Sequence, residues 1–113
     1  MAGCSGRLPD TPLFRDVDAM DLKAGAQAVR TRLEHRYAVG RPEAGLAAYL
    51  RGQGMHVART AKAGPTGVLR VRGEASARGV GKPCPKVAMV IWRADAAGVI
   101  RELSVLYEQA ACV

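Results

Sequence analysis

Cysteine and histidine are the side chains of this chain that could act as nucleophiles, bases or soft metal ligands. The 113 residues include three cysteines and two histidines. Cys84 could in principle be a nucleophile with His35 or His56 as its base, but no pattern places them together and no local signature of a thiol enzyme surrounds Cys84. Neither histidine has Asp, Glu or Cys neighbours at metal-ligand spacing. The sequence therefore predicts no catalytic residue and no metal site, with both histidines solvated or partly packed.

Two further patterns could be taken for chemistry. Gly79-Val80-Gly81-Lys82 is similar to the end of a phosphate-binding loop, but Pro83 follows it and no Ser or Thr supplies a hydroxyl. Asp16, Asp18 and Asp21 crowd the start of a predicted helix, where carboxylates cap the helix and complement its dipole. Capping explains these three residues better than acid–base catalysis. We therefore expect no nucleotide or other cofactor and no enzymatic activity.

A disulfide is the chemistry that the cysteines favour. Lys86 to Arg93 and Val99 to Tyr107 are two apolar runs joined by Asp95-Ala96-Ala97-Gly98, which is typical of a β-hairpin. The first run is continuous, which predicts a central strand buried on both faces, whereas the second alternates and predicts one wet face. A turn centred on Ala96 and Ala97 places residues 108 to 110 opposite Cys84. Cys112 lies close to these, so we expect a Cys84–Cys112 disulfide, with two reduced buried thiols as the alternative.

The third cysteine lies near the N-terminus. Ala2-Gly3-Cys4 is similar to the end of a bacterial lipobox, in which small residues precede the cysteine that is lipidated. The following residues, up to Pro12, are polar and proline-bearing, as expected for an extended tether. One lipid-bearing cysteine and one disulfide would account for the odd cysteine count. We therefore predict a palmitate-type anchor on Cys4 and a tether over residues 1–17; a cytosolic protein with a native Met1 is the alternative.

The rest of the chain predicts a single α+β domain over residues 18–113. Apolar residues recur at helical spacing from Asp18 to Ala38, and a second helix begins at Pro42 and ends at Gly52 to Gly54. Shorter strands are expected at Met55 to Thr60 and Val68 to Arg72, and a long loop is expected from Glu74 to Pro85. Helices followed by strands indicate two N-terminal helices packed on a three- to four-stranded antiparallel β-meander.

The net charge of +7 indicates contact with an anionic partner. Strand alternation places Arg70 and Arg72 on a wet face, and the predicted loop adds three cations beside them. The predicted binding residues are Arg70, Arg72, Arg78, Lys82 and Lys86. Nucleic-acid binding usually adds exposed aromatic residues, and this chain has only one Trp, three Tyr and one Phe. The expected partner is an envelope protein or a surface of anionic lipid head groups, and nucleic acid is the less favoured alternative.

A cysteine tether, two helices and an antiparallel meander form an element order that resembles the small bacterial outer-membrane lipoproteins of the SmpA/OmlA (BamE-like) kind. The last hairpin carries the same likeness in the stretch Trp92-Arg93-Ala94-Asp95-Ala96-Ala97-Gly98-Val99-Ile100. The resemblance implies a lipid-anchored protein on the periplasmic face of the outer membrane that assists assembly without catalysis. Ser5 after Cys4 agrees with outer-membrane sorting in that pattern. A periplasmic inhibitor or immunity-type protein is the alternative with the same architecture.

Overall fold

The computed structural model of the chain describes residues 8–63, 69–78 and 86–109. Two helices precede four strands, and the strands form one antiparallel sheet in sequential order. The elements are α1 (Leu22–Tyr37), α2 (Glu43–Gly52), β1 (His56–Ala63), β2 (Leu69–Arg78), β3 (Lys86–Ala94) and β4 (Ile100–Gln109). Two short 3-10 turns, Pro12–Phe14 and Val17–Ala19, come before α1. The predicted α+β fold, with helices on an antiparallel meander, is confirmed.

The two helices pack on one face of the sheet, which we call the inner face. Val29 and Leu33 of α1 and Leu46 and Leu50 of α2 are fully buried, as the helical spacing predicts. They share one core with the even-numbered residues of β3, namely Ala88, Val90 and Trp92. The helix α1 begins at Leu22 rather than Asp18 because residues 17–19 form a separate 3-10 turn and the Asp21 side chain accepts a hydrogen bond from Ala24 N at 2.7 Å.

The prediction of an extended tether is wrong for residues 8–17. Leu8, Leu13, Phe14 and Val17 are buried in the core, so this segment belongs to the folded domain. The side chain of Gln53 fixes it, because its Oε1 accepts a hydrogen bond from Leu13 N at 2.9 Å. The apolar residues on either side of the Pro9–Pro12 stretch provide the burial that the polar and proline-rich composition obscured. The first seven residues, including Cys4, lie outside the described residues.

The predicted hairpin is confirmed as β3 and β4, with two corrections. Arg93 pairs with Glu102 whereas Ala94 pairs with Ile100, so Arg101 is an extra residue and forms a β-bulge. The turn is centred on Ala97, which shifts the pairing by one residue from the predicted register, and the bulge shifts it by one more. Lys86 therefore pairs with Gln109 rather than with Tyr107. The bulge also reverses the alternation, which is why Ile100 is fully buried, while Leu103, Val105 and Tyr107 continue the inner face.

The second correction concerns the faces of β3. Val87, Met89 and Ile91 are only half-buried and Arg93 is exposed, so β3 is not buried on both faces as its continuous apolar run predicted. The helices cover only the inner face. The opposite face of the sheet, which carries the odd-numbered residues of β3, is called the outer face below.

The long loop predicted from Glu74 to Pro85 is wrong for residues 74–78, which continue β2. Glu74 pairs with Ala58 of β1 and with Ile91 of β3, and Ser76 pairs with His56 and Met89. The segment lacks an apolar period, but backbone pairing on both sides holds it in the sheet and overrides its weak strand propensity. Residues 79–85 lie outside the described part of the chain. Within the described ranges, neither helix is long and apolar enough to cross a membrane.

Candidate functional site

The core contains a buried carboxylate network that the sequence did not reveal. Arg59, Gly73 and Trp92 stand side by side on neighbouring strands β1, β2 and β3. A Cβ atom at Gly73 would collide with the Trp92 ring, so the missing side chain lets the indole lie over β2. Glu43, the first residue of α2, is 2% exposed and reaches both neighbours of Gly73. The network therefore joins α2 to β1 and β3, across the space left by Gly73 of β2.

Both carboxylate oxygens of Glu43 accept hydrogen bonds. Arg59 Nε donates to Glu43 Oε2 at 2.7 Å, Arg59 Nη2 donates to Oε1 at 2.5 Å, and Trp92 Nε1 donates to Oε2 at 3.0 Å. Burial by itself would raise the pKa of Glu43, but the hydrogen bonds from Arg59 and Trp92 and the nearby positive charges outweigh it and lower the pKa. The hydrogen bond to Glu43 raises the pKa of Arg59.

This arrangement suits docking of a helix better than proton transfer. A general base needs a lone pair directed at a substrate, whereas both oxygens of Glu43 are already engaged by donors of the protein. The backbone N–H of Glu43 also donates to Gly98 O at 2.8 Å, so that the first residue of α2 is fixed to the β3–β4 turn as well. The network therefore has a structural role, which is to hold α2 on the sheet.

The outer face is the part of the sheet that the described helices leave uncovered. Register places positions 70, 72 and 78 of β2 on this face, together with Arg93 of β3. Arg72 pairs with Arg93, and Arg70 pairs with Lys62 of β1. The backbone positions of four basic residues thus lie at this end of the outer face, and we call these positions the basic corner: Lys62, Arg70, Arg72 and Arg93. The predicted binding residues Arg70 and Arg72 therefore occupy neighbouring strand positions in a group that spans three strands.

Arg93 is the described side chain of the basic corner that is most clearly available to a ligand. It is exposed, and its contact with Glu102 is a weak surface pair, because Nε and Oε2 are 3.8 Å apart and the two side chains are 61% and 66% exposed. The sequence indicated Arg93 only as one of many basic residues. Its place beside Arg72 depends on the register of β2 and β3, which a single sequence does not provide.

Lys86 does not lie on this surface, so its predicted place beside Arg70 and Arg72 is wrong. It lies on the inner face, where its Nζ donates to Asp18 O at 3.3 Å and Met20 O at 3.4 Å. The Nζ also lies 5.7 Å from the centre of the Tyr107 ring. Through these contacts the ammonium group holds the segment before α1 against β3. Lys86 is therefore a packing residue rather than a free surface cation.

Four predicted site residues cannot be placed. Lys82, Cys4, Cys84 and Cys112 all lie outside the described residues, so the anchor and the disulfide stay predictions. The two histidines, His35 and His56, are both exposed. Across the described ranges, no group of three or more His, Cys, Asp or Glu residues is positioned to hold a metal ion.

The chain was compared with protein families, curated proteins and solved structures. No protein-family profile, curated protein or solved structure matches the chain.

Proposed function

We propose that this chain is a non-enzymatic cell-envelope lipoprotein that works as a protein-interaction module and binds an acidic partner through the basic corner. The observation that carries the binding proposal is the register of Arg72 with Arg93, which brings basic positions of three strands to one end of the face that the described helices leave uncovered. Cations clustered on one face raise the local positive potential and speed encounter with anionic surfaces. An acidic envelope protein is the partner that we favour.

The contacts of the described residues support a binding role over a catalytic one. Glu43 is the buried charged residue of the described chain, and its oxygens are occupied by Arg59 and Trp92. The positions of the basic corner lie on a sheet supported by a continuous core, which gives a rigid backbone suitable for recognition. Rigid presentation lowers the ordering cost of association, since the backbone of the binding residues is already fixed.

The binding proposal can be tested by charge reversal. The Arg70→Glu, Arg72→Glu double variant should lose an acidic partner captured by wild type from an outer-membrane protein extract. The matched control is Lys23→Glu, Arg30→Glu, which makes the same change of charge on exposed positions of α1. The loss should be strong at roughly 50 mM salt and smaller at roughly 500 mM, because surface charges are screened over a Debye length. Equal recovery by all three proteins would show that the basic corner is only solvated surface.

The anchor can be tested separately. The proposal of a lipidated Cys4 rests on Ala2-Gly3-Cys4 and on the cysteine count. The genomic reading frame upstream of Met1 should encode Lys or Arg residues followed by an apolar run, as in a signal peptide. Mass spectrometry of the N-terminal peptide from a cell expressing that full frame should show acyl chains on Cys4. An unmodified Cys4 in such cells would remove the lipoprotein part of the proposal and leave the binding part unaffected.

A further inference from the structure

The strand β1 forms one edge of the sheet. The strand order is β1-β2-β3-β4, so β1 pairs with β2 on one side, and the described residues provide no strand on its other side. Eight consecutive residue pairs join β1 to β2 without a bulge. Alternate residues of such an edge strand direct their backbone N–H and C=O groups away from the sheet. The regular pairing of β1 therefore gives its outward row of hydrogen-bonding groups an even spacing.

The side chains of β1 leave this edge accessible. Arg59, Gly73 and Trp92 stand side by side, so the odd-numbered residues of β1 lie on the inner face and the even-numbered ones on the outer face. Ala58 of the outer face and Ala61 of the inner face are both exposed. The described residues therefore cover neither face of β1 at these two positions, and a further strand has room to approach.

The opposite edge of the sheet, β4, is less suited to an added strand. Ile100 N donates to Arg41 O at 2.9 Å, so the α1–α2 connection covers the start of β4. The bulge at Arg101 then interrupts the regular spacing of the edge. Further along, β4 has exposed acidic side chains at Glu102 and Glu108. Of the two edges, β1 is therefore the one that can extend the sheet.

Charge determines which kind of strand would pair with β1. The strand contains Arg59 and Lys62 and no acidic residue. Arg51 of α2 adds an exposed cation on the inner side, where its charge helps to lower the pKa of Glu43, the partner of Arg59. A second copy of the chain would bring another net charge of +7, so repulsion opposes pairing of two copies. An acidic segment would be attracted.

We propose that an extended acidic segment of a partner protein pairs with β1 as a fifth strand of the sheet. The inference rests on the proposed function, because the partner is the acidic envelope protein, and it adds the form in which that partner binds. In such strand addition, main-chain hydrogen bonds supply affinity and alternate side chains supply specificity. Lys62 is also a position of the basic corner, so one segment can contact both the edge and that surface.

The probe is a fluorescently labelled peptide of eight residues, which as a strand is about 26 Å long and matches the length of β1. It carries Glu at every second position and Thr or Val at the others. The control peptide has the same sequence with N-methyl groups on four consecutive central residues, which block both of its edges and keep its charge. Wild-type protein should bind the probe at least about tenfold more tightly than the control in fluorescence anisotropy, which corresponds to about 1.4 kcal/mol.

Amide hydrogen exchange followed by NMR reads the pairing directly and needs no variant. In the free protein, every second N–H of β1 should exchange fast, because the intervening ones are bonded to β2. Saturating probe should slow this fast set at least about tenfold, whereas a purely electrostatic contact would leave their exchange unchanged. Slow exchange along the whole of β1 in the free protein would show that the edge is already covered and would overturn the inference.

Proline substitution locates the binding. Ala58 and Ala61 have opposite parity in β1, so one of them directs its N–H outward, and the exchange measurement identifies which. Replacing that residue, as Ala58→Pro or Ala61→Pro, removes the outward donor and keeps the ladder with β2. The variant should bind the probe about tenfold or more weakly at both low and high salt. The matched control is Ser at the same position, which keeps the N–H. Circular dichroism checks that each variant is folded.

A second variant tests the charge of the segment. Arg51→Glu should weaken binding of the probe mainly at low salt, since exposed charges are screened by salt. The control is Lys23→Glu, which makes the same change at an exposed position of α1. Equal binding by both variants and wild type would contradict the acidic character of the partner segment.

Further outcomes separate this inference from the proposed function. Strand addition is wrong if the probe does not bind, if probe and control peptide bind equally, or if the proline variant binds like wild type. A wild-type dimer in sedimentation that the proline variant abolishes would assign the edge to self-association instead. If the proline variant still captures the acidic envelope partner and the Arg70→Glu, Arg72→Glu variant does not, the proposed function stands and only strand addition fails. Capture by both variants would refute both.

Discussion

Replacing Glu43 with Gln should be strongly destabilising, because it removes the charge at the centre of the Glu43–Arg59–Trp92 network while keeping the shape of the side chain. Glu43 accepts three hydrogen bonds from the other two residues. An amide has one oxygen acceptor, so its NH₂ group would face a donor of Arg59 or Trp92. Breaking one partner of a buried ion pair costs about 3 to 5 kcal/mol. The Arg59 side chain is 35% exposed and can regain hydration, which lowers the expected loss to about 2 to 4 kcal/mol.

The measurement is urea unfolding of wild type and Glu43→Gln followed by far-UV circular dichroism, with a thermal melt in parallel. A loss of about 3 kcal/mol should lower the Tm by roughly 10 °C or more for a domain of this size. The matched control is Glu34→Gln, since Glu34 forms a surface pair with Arg30 in which the side chains are 45% and 55% exposed. Such a pair contributes about 0.3 to 0.5 kcal/mol. If Glu43→Gln changed stability no more than Glu34→Gln, the structural role of the network would be refuted.

The effect should also depend on pH in one direction. The folded state lowers the pKa of Glu43, so the stability that its ionised form contributes is present above the unfolded pKa of about 4.3. This stability is lost as the pH falls through the folded pKa, where protonation of the carboxyl ends the ion pair. The gap between wild type and Glu43→Gln should therefore be constant from about pH 5 to 7 and narrow below about pH 4. A gap that widened in acid would contradict the assignment.

Three further predictions concern other positions. Tyr107→Phe should stabilise the protein by about 1 kcal/mol, because the buried Tyr107 hydroxyl has no hydrogen-bond partner among the described residues; burial raises the pKa of Tyr107 to about 12, so the advantage in chemical denaturation should grow above about pH 10. Gly25→Ala should be destabilising in thermal melts, since its Cβ would lie 2.5 Å from the Tyr107 ring, whereas Gly52→Ala, with open space around it, should be neutral or stabilising. Cys84 and Cys112 should resist alkylation in the folded, unreduced protein and react after reduction; labelling of both without reductant would exclude the disulfide.

Periodicity within one element was enough to predict much of the fold. The spacing of Val29 and Leu33, and of Leu46 and Leu50, identified the buried faces of α1 and α2, and the Asp95 to Gly98 turn located the last hairpin. These signals are local, since each depends on residues within about two turns or two strand positions. The order of helices and strands then limited the fold to an α+β meander, because short connections make neighbouring elements pack together.

What the sequence did not show depends on contacts between distant residues. The extension of β2 to Arg78 is held by backbone pairs with β1 and β3, and backbone pairing leaves little trace in side-chain pattern. The association of Glu43 with Trp92 spans 49 residues and needs the space at Gly73. The basic corner likewise requires the register of Arg72 with Arg93. Lys86 was misassigned for the same reason, because only the register shows that it lies on the inner face.

The position of Trp92 has a practical spectroscopic consequence. It is the single tryptophan of the chain and is fully buried. Its indole N–H donates a hydrogen bond to the carboxylate of Glu43, the first residue of α2. Its emission therefore reports on the junction between α2 and the sheet without interference from another indole. If fluorescence and far-UV circular dichroism change together during denaturation, α2 and the sheet unfold as one cooperative unit. If fluorescence changes first, α2 detaches in a local opening below the global transition, and the emission gives the free energy of that step.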